Sequence, residues 1–236
     1  ENNKLLLSIQ EKLEAKNIQN QNANVDEKSF GGRLGEAMSV VTKDYALKYC
    51  MSELSRNNHL NNEIYIHDLD HYALGSHNCL SLPLDDLLRN GFNTRQADVR
   101  PANSVSTAFQ LVAVLFQIQS LQQFGGVAAT HLDWTMVPYV RKSFSKHFQD
   151  GQKYIDGVLS KRDPDLSIED EYYTSNPNVY KYALDLTKRE IAQATEGMYH
   201  NLNTLQSRSG NQLPFSSINY GTCTLPEGRM TTKALL

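Results

Sequence analysis

The sequence predicts a helix-rich α/β fold with parallel strands, because short strand signals alternate with long helical segments. Residues 63–67 alternate between polar and apolar side chains as a β-strand does. Apolar residues recur at helical spacing over residues 104–124, 132–148 and 179–205, so each segment is predicted to be a helix. Long helices between strands favour parallel pairing, and together these observations predict α/β layering.

The N-terminal part of the chain divides into a connector and the start of the folded region. Residues 1–16 carry a short amphipathic pattern, and residues 17–24 form an Asn/Gln tract typical of a flexible polar connector. We therefore assign residues 1–28 to a connector. A helix is predicted from Gly31 to about Leu54, where apolar positions follow helical spacing.

A short helix and a long apolar helix follow. Pro83 at the start and Gly91 at the end are typical of the two ends of a helix. The helix predicted over residues 104–124 is so apolar that either its own domain or a second subunit must cover most of its sides. Gln117, near its end, is interpreted either as part of a polar edge or as a ligand-reading residue at a subunit contact.

The C-terminal part is predicted to contain an exposed excursion, a long helix and a short strand. Residues 150–178 are charged and proline-containing, which favours an exposed segment. The helix over residues 179–205 leads into a Gly/Ser loop, a short strand and a turn. Residues 231–236 form an apolar run, helical or strand-like, without a cap, and we expect the chain to be a piece of a longer protein.

Composition excludes several functional classes. The net charge is −3 without a basic block, which argues against a nucleic-acid partner. Three scattered cysteines and no C-x-x-C pair argue against a disulfide framework and favour a reducing cytoplasm. The longest apolar stretch is interrupted by glutamines, and the N-terminus lacks a signal-peptide pattern, so we expect a soluble protein.

Cys79 is the most informative single residue. It lies among polar side chains that include His67, His77 and Asn78. A structural cysteine packs as a small hydrophobe and needs no polar neighbours, whereas a cysteine in redox or radical chemistry must be reachable by substrate. The same cluster also offers metal-ligand types in His67, Asp68, His71 and His77, so a metal-dependent hydrolase is an alternative. No His-Glu-x-x-His spacing supports that alternative.

The chain resembles the anaerobic (class III) ribonucleoside-triphosphate reductases, which are glycyl-radical enzymes. The matching strings run in order along the chain: Tyr65-Ile-His-Asp-Leu-Asp70, His77-Asn-Cys-Leu80, Asn90-Gly-Phe92, Arg100-Pro-Ala-Asn-Ser104, Gln123-Phe-Gly-Gly126, Pro138-Tyr-Val-Arg141, His200-Asn-Leu-Asn-Thr204 and Pro214-Phe-Ser-Ser-Ile-Asn-Tyr-Gly-Thr222. Each string alone is weak, but their order and continuity from about residue 30 onward make chance resemblance improbable.

The resemblance implies a ten-stranded α/β barrel, with residues 29–236 as its first half and an ATP-binding cone before the connector. Cys79 aligns with the family's reducing cysteine on the first barrel strand, which gives a hydrogen to the ribose after the 2′-hydroxyl leaves as water. Formate is the implied final reductant. His67 and Asn78 are implied either to hold substrate hydroxyls or formate, or to satisfy local backbone groups.

The resemblance also places parts of the machinery outside this chain. These are the thiyl cysteine in a finger loop, the glycyl radical, a four-cysteine zinc site and a separate radical-SAM activating enzyme. Cys223 stands where many relatives carry Asp, and its surroundings lack the finger-loop pattern. An isolated chain of this kind is expected to have no reductase activity. A non-catalytic piece that supplies only dimer and effector contacts is therefore a second alternative.

The family's allosteric specificity site is implied at a homodimer interface, formed by the region matching residues 96–120 and a basic residue on the next long helix, with the dimer and effector helices at about residues 104–148. Four positions match it here: Arg100, Ser104, Gln117 and Lys146. Arg100 and Lys146 are expected to meet the triphosphate of an ATP or deoxynucleotide effector through charge-assisted hydrogen bonds. The position of Arg100 is not basic in every relative.

Overall fold

A computed structural model describes residues 2–14, 28–75, 77–123, 125–206 and 213–236. The chain forms two compact units. The first comprises residues 1–80, 117–126 and 205–215, and the second comprises residues 81–116, 127–204 and 216–236. The predicted Asn/Gln tract at residues 17–24 lies outside the described residues.

The first unit begins with three helices. Helices α1 (Asn2–Glu14) and α2 (Phe30–Tyr49) contact each other, and Lys12 Nζ lies 2.7 Å from Glu36 Oε2. The Ser29 hydroxyl caps α2 by accepting from Gly32 N at 3.0 Å. The single helix predicted from Gly31 to Leu54 is wrong in its extent: α2 ends at Tyr49, and α3 (Glu53–Leu60) starts afresh behind a second serine cap.

The strand predicted at residues 63–67 is wrong. The backbone turns back on the end of α3, where Glu63 N and Ile64 N donate to Asn58 O at 2.9 and 3.3 Å. Ile66 N donates to the His59 ring at 3.2 Å. These local bonds use the backbone donors that a strand would present to a neighbour, so the alternating side chains line a turn that precedes a 3₁₀ turn at Tyr72–Leu74.

The parallel sheet that the sequence predicts is confirmed in a short form. Strands β1 (Leu80–Ser81), β4 (Val127–Ala129) and β5 (Ser216–Ile218) lie in the order β1-β4-β5. Strands β4 and β5 pair in parallel, with Val127 opposite Ser216. A separate antiparallel pair joins β2 (Phe92–Asn93) to β3 (Asp98–Val99), directly after α4 (Leu84–Asn90), whose predicted Pro83 and Gly91 ends are confirmed.

The second unit is built mainly from helices. It contains α6 (Leu132–Gly151), α8 (Pro177–Thr204), α9 (Pro226–Leu235) and most of α5 (Val105–Ser120). Helix α5 ends four residues before the predicted limit of 124. Its apolar stripe is fully buried by the described chain: Val105, Phe109, Val112 and Phe116. The sequence allowed either the helix's own domain or a second subunit to cover this stripe. The chain itself covers it.

Residues 150–178 are only partly the exposed excursion that the sequence predicts. They contain a π-helical turn at Gln152–Asp156 and the short helix α7 (Glu171–Thr174). Ile168 and Tyr173 are buried in a cluster with Phe144 and Phe148, where the Tyr173 ring lies 5.0 Å from that of Phe144. Aromatic packing therefore returns this charged segment to the core. None of the described helices is both long and apolar enough to cross a lipid bilayer.

Candidate functional site

Cys79 lies at the amino end of β1, beside the Gly125-Gly126 turn. His77 forms a parallel bridge with Gln123, and Leu80 N donates to Gly126 O at 2.9 Å. The Gln123 side chain holds the turn by donating to Gly126 O at 2.7 Å. The backbone on either side of Cys79 is thus tied to a segment distant in sequence.

Gly125 makes this approach possible. A Cβ atom at Gly125 would lie 1.8 Å from Asn78 O and 2.4 Å from Asn78 Oδ1, far inside van der Waals contact. At Gly126 the nearest atom to an added Cβ would be Phe215 O, at 3.7 Å. Of the two glycines, only Gly125 is required by the close packing of backbone on backbone.

The Cys79 thiol is exposed and has two neutral hydrogen-bond partners. Its S–H donates to Asn78 Oδ1 at 3.4 Å, and Gly126 N–H donates to the sulfur at 3.4 Å. An amide oxygen can accept a hydrogen bond only from the S–H form of the cysteine. This arrangement therefore suits a thiol that acts as a hydrogen-atom donor. The side chains of the consecutive residues Asn78 and Cys79 are therefore in direct contact.

The His67 side chain has a local partner. Its ring is hydrogen-bonded to the neighbouring Asp68 carboxylate, both side chains are exposed, and Asp68 has a positive φ of 52°. No hydrogen bond joins His67 to Cys79 within the described residues. Nor do those residues contain a group of three or more His, Cys, Asp and Glu side chains that could hold a metal ion, so the ligand cluster of the hydrolase alternative is not assembled.

The four residues assigned to an effector site have different environments. Arg100 and Lys146 are exposed, and Gln117 is half-buried. The Ser104 hydroxyl caps α5 by accepting from Thr107 N at 3.1 Å. This cap gives Ser104 a structural role whether or not it binds a ligand.

Sequence analysis missed a carboxylate that ties the start of α5 to α6 and α8. Glu190 Oε1 accepts from the Ser106 hydroxyl at 2.9 Å and from the Ser143 hydroxyl at 3.1 Å, while Glu190 Oε2 lies 2.8 Å from His147 Nε2. Val105 N in turn donates to the Ser143 hydroxyl at 3.0 Å. The spacing of Ser143 and His147 by four residues on one helix was the available signal.

The pKa of Glu190 is lowered by this network. Burial, the largest single influence, raises the pKa, but the hydrogen bonds from His147, Ser106 and Ser143 and the charge of His147 together outweigh it. The negatively charged Glu190 side chain, which belongs to α8, therefore lies beside the first turn of α5, where the helix dipole favours an anion.

A polar cavity of about 450 Å³ lies at the carboxyl ends of β1 and β4. His131 Nε2 lies 3.0 Å from Asp85 Oδ2 and its Nδ1 lies 3.0 Å from the Thr130 hydroxyl, so both ring nitrogens are held. Burial raises the pKa of Asp85, but hydrogen bonds from Thr135 and His131 and the nearby positive charges reverse this, so the net pKa is below its ordinary value. Thr130 and His131 directly follow β4. Polar residues at the carboxyl end of a strand were the sequence signal that could have indicated this cavity.

Cys223 lies in different surroundings from Cys79. It is buried, its sulfur packs against Gly228, and burial raises the pKa of its thiol. The buried Asp133 carboxylate accepts from Cys223 N at 2.7 Å and from Gly221 N at 2.9 Å. The Asp133 carboxylate therefore anchors the loop before α9 through two backbone N–H groups, and the Cys223 thiol is packed in the interior.

Comparison with known proteins identifies the family. A family model described as anaerobic ribonucleoside-triphosphate reductase matches residues 21–236. The chain belongs to this family. The match covers both units and includes the Cys79 site.

Curated anaerobic reductases are similar over nearly the whole chain. The enzyme of Enterobacteria phage T4 is 28% identical over 222 residues, covering 94% of this chain and 33% of that protein. The enzyme of Haemophilus influenzae is 26% identical and covers 98% of this chain and 30% of that protein. The chain thus spans about a third of the length of the curated reductases that it matches.

Solved anaerobic reductases share the fold. One such structure has a TM-score of 0.60 at 17% identity and covers 98% of this chain and 34% of the other. The Thermotoga maritima anaerobic ribonucleotide reductase in complex with dATP and CTP has a TM-score of 0.56 at 16% identity, covering 88% of this chain and 33% of the other.

Proposed function

We propose that this chain supplies the hydrogen-donating thiol, Cys79, of an anaerobic ribonucleoside-triphosphate reductase. The observation that carries the proposal is the exposed thiol at the start of a parallel strand, hydrogen-bonded to Asn78 Oδ1 and Gly126 N. Family membership supports the reaction class, which converts ribonucleoside triphosphates to deoxyribonucleoside triphosphates.

The role proposed for Cys79 is hydrogen-atom transfer to the substrate ribose. A radical on a second cysteine, which lies outside this chain, initiates the reaction by taking the 3′ hydrogen of the ribose. Loss of the 2′-hydroxyl as water leaves a ribose that must be reduced, and Cys79 gives up the hydrogen that it now directs at Asn78 Oδ1. Formate is proposed to supply the two electrons overall, leaving as carbon dioxide.

Asn78 is proposed to orient the thiol and to bind substrate hydroxyls or formate once the thiol turns toward the ribose. Its amide offers both an acceptor and donors, which suits a hydroxyl or a carboxylate. His67 is proposed as a second polar contact for the same ligands. His67 Nδ1 is bonded to the Asp68 carboxylate, so the proposed contact with the ligand uses Nε2, the other nitrogen of this exposed ring.

The remaining assignments follow the family. We propose that residues 29–236 form the first half of the reductase barrel and that residues 1–28 connect it to an ATP-binding cone. The glycyl radical, the zinc site and the radical-SAM activating enzyme then lie outside this chain. The intact protein is proposed to be a cytoplasmic homodimer controlled by ATP and deoxynucleotides.

Substitution of the cysteines in a full-length reductase that carries this sequence tests the function. Cys79→Ala should abolish deoxynucleotide formation and leave the fold unchanged, because the side chain is exposed and serves the chemistry alone. Cys50→Ser is the matched control, since Cys50 is a half-buried thiol at the end of α2. Substantial product from Cys79→Ala would refute the assignment.

A second function, effector binding, is favoured by the two exposed cations Arg100 and Lys146. We expect deoxynucleotide binding to weaken with salt, because ion pairs at exposed sites are screened. Lys146→Ala should cost more affinity than Gln117→Ala, since a charge-assisted hydrogen bond is about twice as strong as a neutral one. Calorimetry with a panel of deoxynucleotides measures both effects, and equal losses would contradict the proposed triphosphate contact.

A further inference from the structure

Helix α2 carries a row of apolar side chains that the described chain leaves uncovered. The row, called the α2 stripe below, has these exposed fractions: Phe30 79%, Leu34 53%, Met38 52%, Val41 39%, Tyr45 52% and Tyr49 73%. Helix α1 and the turn at Tyr72–Leu74 contact α2 as well, yet the stripe remains open. Helix α1 also exposes leucines, at Leu6, Leu7 and Leu13, but the α2 stripe contains six large side chains and three aromatic rings.

The area of the stripe suits a pairing surface. The exposed fractions correspond to roughly 500–900 Å² of surface, if a whole large side chain contributes about 150–250 Å². This lies at or above the upper end of the roughly 300–600 Å² that the largest patch on a typical soluble monomer covers. Two stripes together present about 1,000–1,700 Å², which overlaps the range of about 1,200–2,000 Å² for specific interfaces.

The spacing of the stripe is symmetric along the helix. The six positions lie at equal distances on either side of the point between residues 39 and 40. In a two-fold contact, residue i of one copy faces residue j of the other, and j faces i. An antiparallel pair centred on that point therefore places Phe30 opposite Tyr49, Leu34 opposite Tyr45 and Met38 opposite Val41.

The polar neighbours of the stripe tolerate a second copy. Asp44 and Lys48, at one edge, form an ion pair of 2.8 Å within the helix. Gly35, Ala37 and Thr42 are uncharged flanking residues. Steps of three and four residues between the apolar positions match the spacing with which packed helices interlock.

We propose that α2 is a self-association surface, on which two copies of this chain pair antiparallel through the α2 stripe. The two-fold axis passes between residues 39 and 40 of each copy. This contact is distinct from the interface proposed around α5 and does not depend on the reductase assignment.

Sedimentation equilibrium of the 236-residue chain tests the pairing. We expect the dimer to predominate once the protein concentration reaches about 100 μM. Met38→Glu, at the centre of the contact, should raise the dimer dissociation constant about tenfold or more, because central interface residues carry most of the binding energy. Leu159→Glu is the matched control, since Leu159 is an apolar side chain, 79% exposed, outside the stripe.

A charge pair tests the antiparallel arrangement. Met38→Glu combined with Val41→Lys should restore the dimer, because each glutamate then faces a lysine of the other copy. Met38→Glu combined with Val41→Glu should remain monomeric. Far-ultraviolet circular dichroism establishes that each variant is folded. A monomeric parental chain, an equal effect of Leu159→Glu, or failure of the Glu–Lys pair to restore association would each overturn the proposal.

Discussion

Replacing Gly125 by alanine should displace the backbone that carries Cys79. The new Cβ would lie 1.8 Å from Asn78 O and 2.3 Å from the carbonyl carbon of Asn78. Both are backbone atoms that cannot rotate away, so the two segments must separate by more than about 1 Å to reach ordinary contact. The hydrogen bond from Leu80 N to Gly126 O, 2.9 Å long, crosses the same gap and should lengthen or break.

The stability cost can be estimated from these two effects. Overpacking costs about 1–3 kcal/mol, and a lost backbone hydrogen bond adds about 1 kcal/mol. We therefore expect Gly125→Ala to lower the free energy of unfolding by about 2–4 kcal/mol. Gly126→Ala is the adjacent control: its Cβ would meet its nearest atom at 3.7 Å, and φ lies outside the left-handed region. It should change stability by no more than about 1 kcal/mol.

Two measurements test this reasoning. Urea denaturation of the two variants and the parental chain gives the difference in unfolding free energy. In a full-length reductase, Gly125→Ala should also lower turnover by about a hundredfold, because a displacement of about 1 Å at a reacting group has that effect. Equal stability of Gly125→Ala and the parental chain, or an equal loss in Gly126→Ala, would refute the argument from close backbone approach.

Three further predictions concern the core, the network at α5 and the cysteines. Phe144→Ala should lower the unfolding free energy by about 3–5 kcal/mol in urea denaturation, because the ring is fully buried among other aromatic rings; a loss below about 1 kcal/mol would contradict this packing. The lowered pKa of Glu190 stabilises the fold above the ordinary value of 4.5, and this contribution is lost as pH falls through the folded-state pKa. Denaturation midpoints should therefore fall more steeply below pH 4.5 for the parental chain than for Glu190→Gln, and parallel curves would count against the ion pair with His147. Iodoacetamide should modify exposed Cys79 in the folded chain far faster than buried Cys223, whose raised pKa disfavours the reactive thiolate, as peptide mass spectrometry would show; equal rates would place Cys223 at the surface.

Segments whose structure depends on their own residues were predictable. The Pro83 and Gly91 ends of α4 follow from the missing amide hydrogen of proline and the free backbone of glycine. Helices α6 and α8 follow from apolar residues at helical spacing over many turns. The family, too, was evident from the order of short strings along the chain, and the match over residues 21–236 confirms it.

Predictions failed where local and distant interactions competed. Residues 63–67 alternate as a strand does, but α3 offers the carbonyl of Asn58 and the ring of His59 as nearer partners. The charged segment 150–178 was predicted to be exposed, yet Tyr173 packs against the rings of Phe144 and Phe148 on α6 in the core. In both cases the segment's structure was decided by contacts with residues outside it, which the periodicity or charge of the segment does not reveal.

The sequence by itself determined the helices with long apolar periods and the family, and it directed attention to Cys79. Only the tertiary structure decided what surrounds that thiol: its bond from Gly126 joins residues 47 positions apart, and Gly125 allows the approach. The same holds for Glu190, which caps α5 across 84 residues. Helical periodicity is a property of neighbours within a few residues, whereas a hydrogen bond between distant segments exists only after the chain has closed the loop between them.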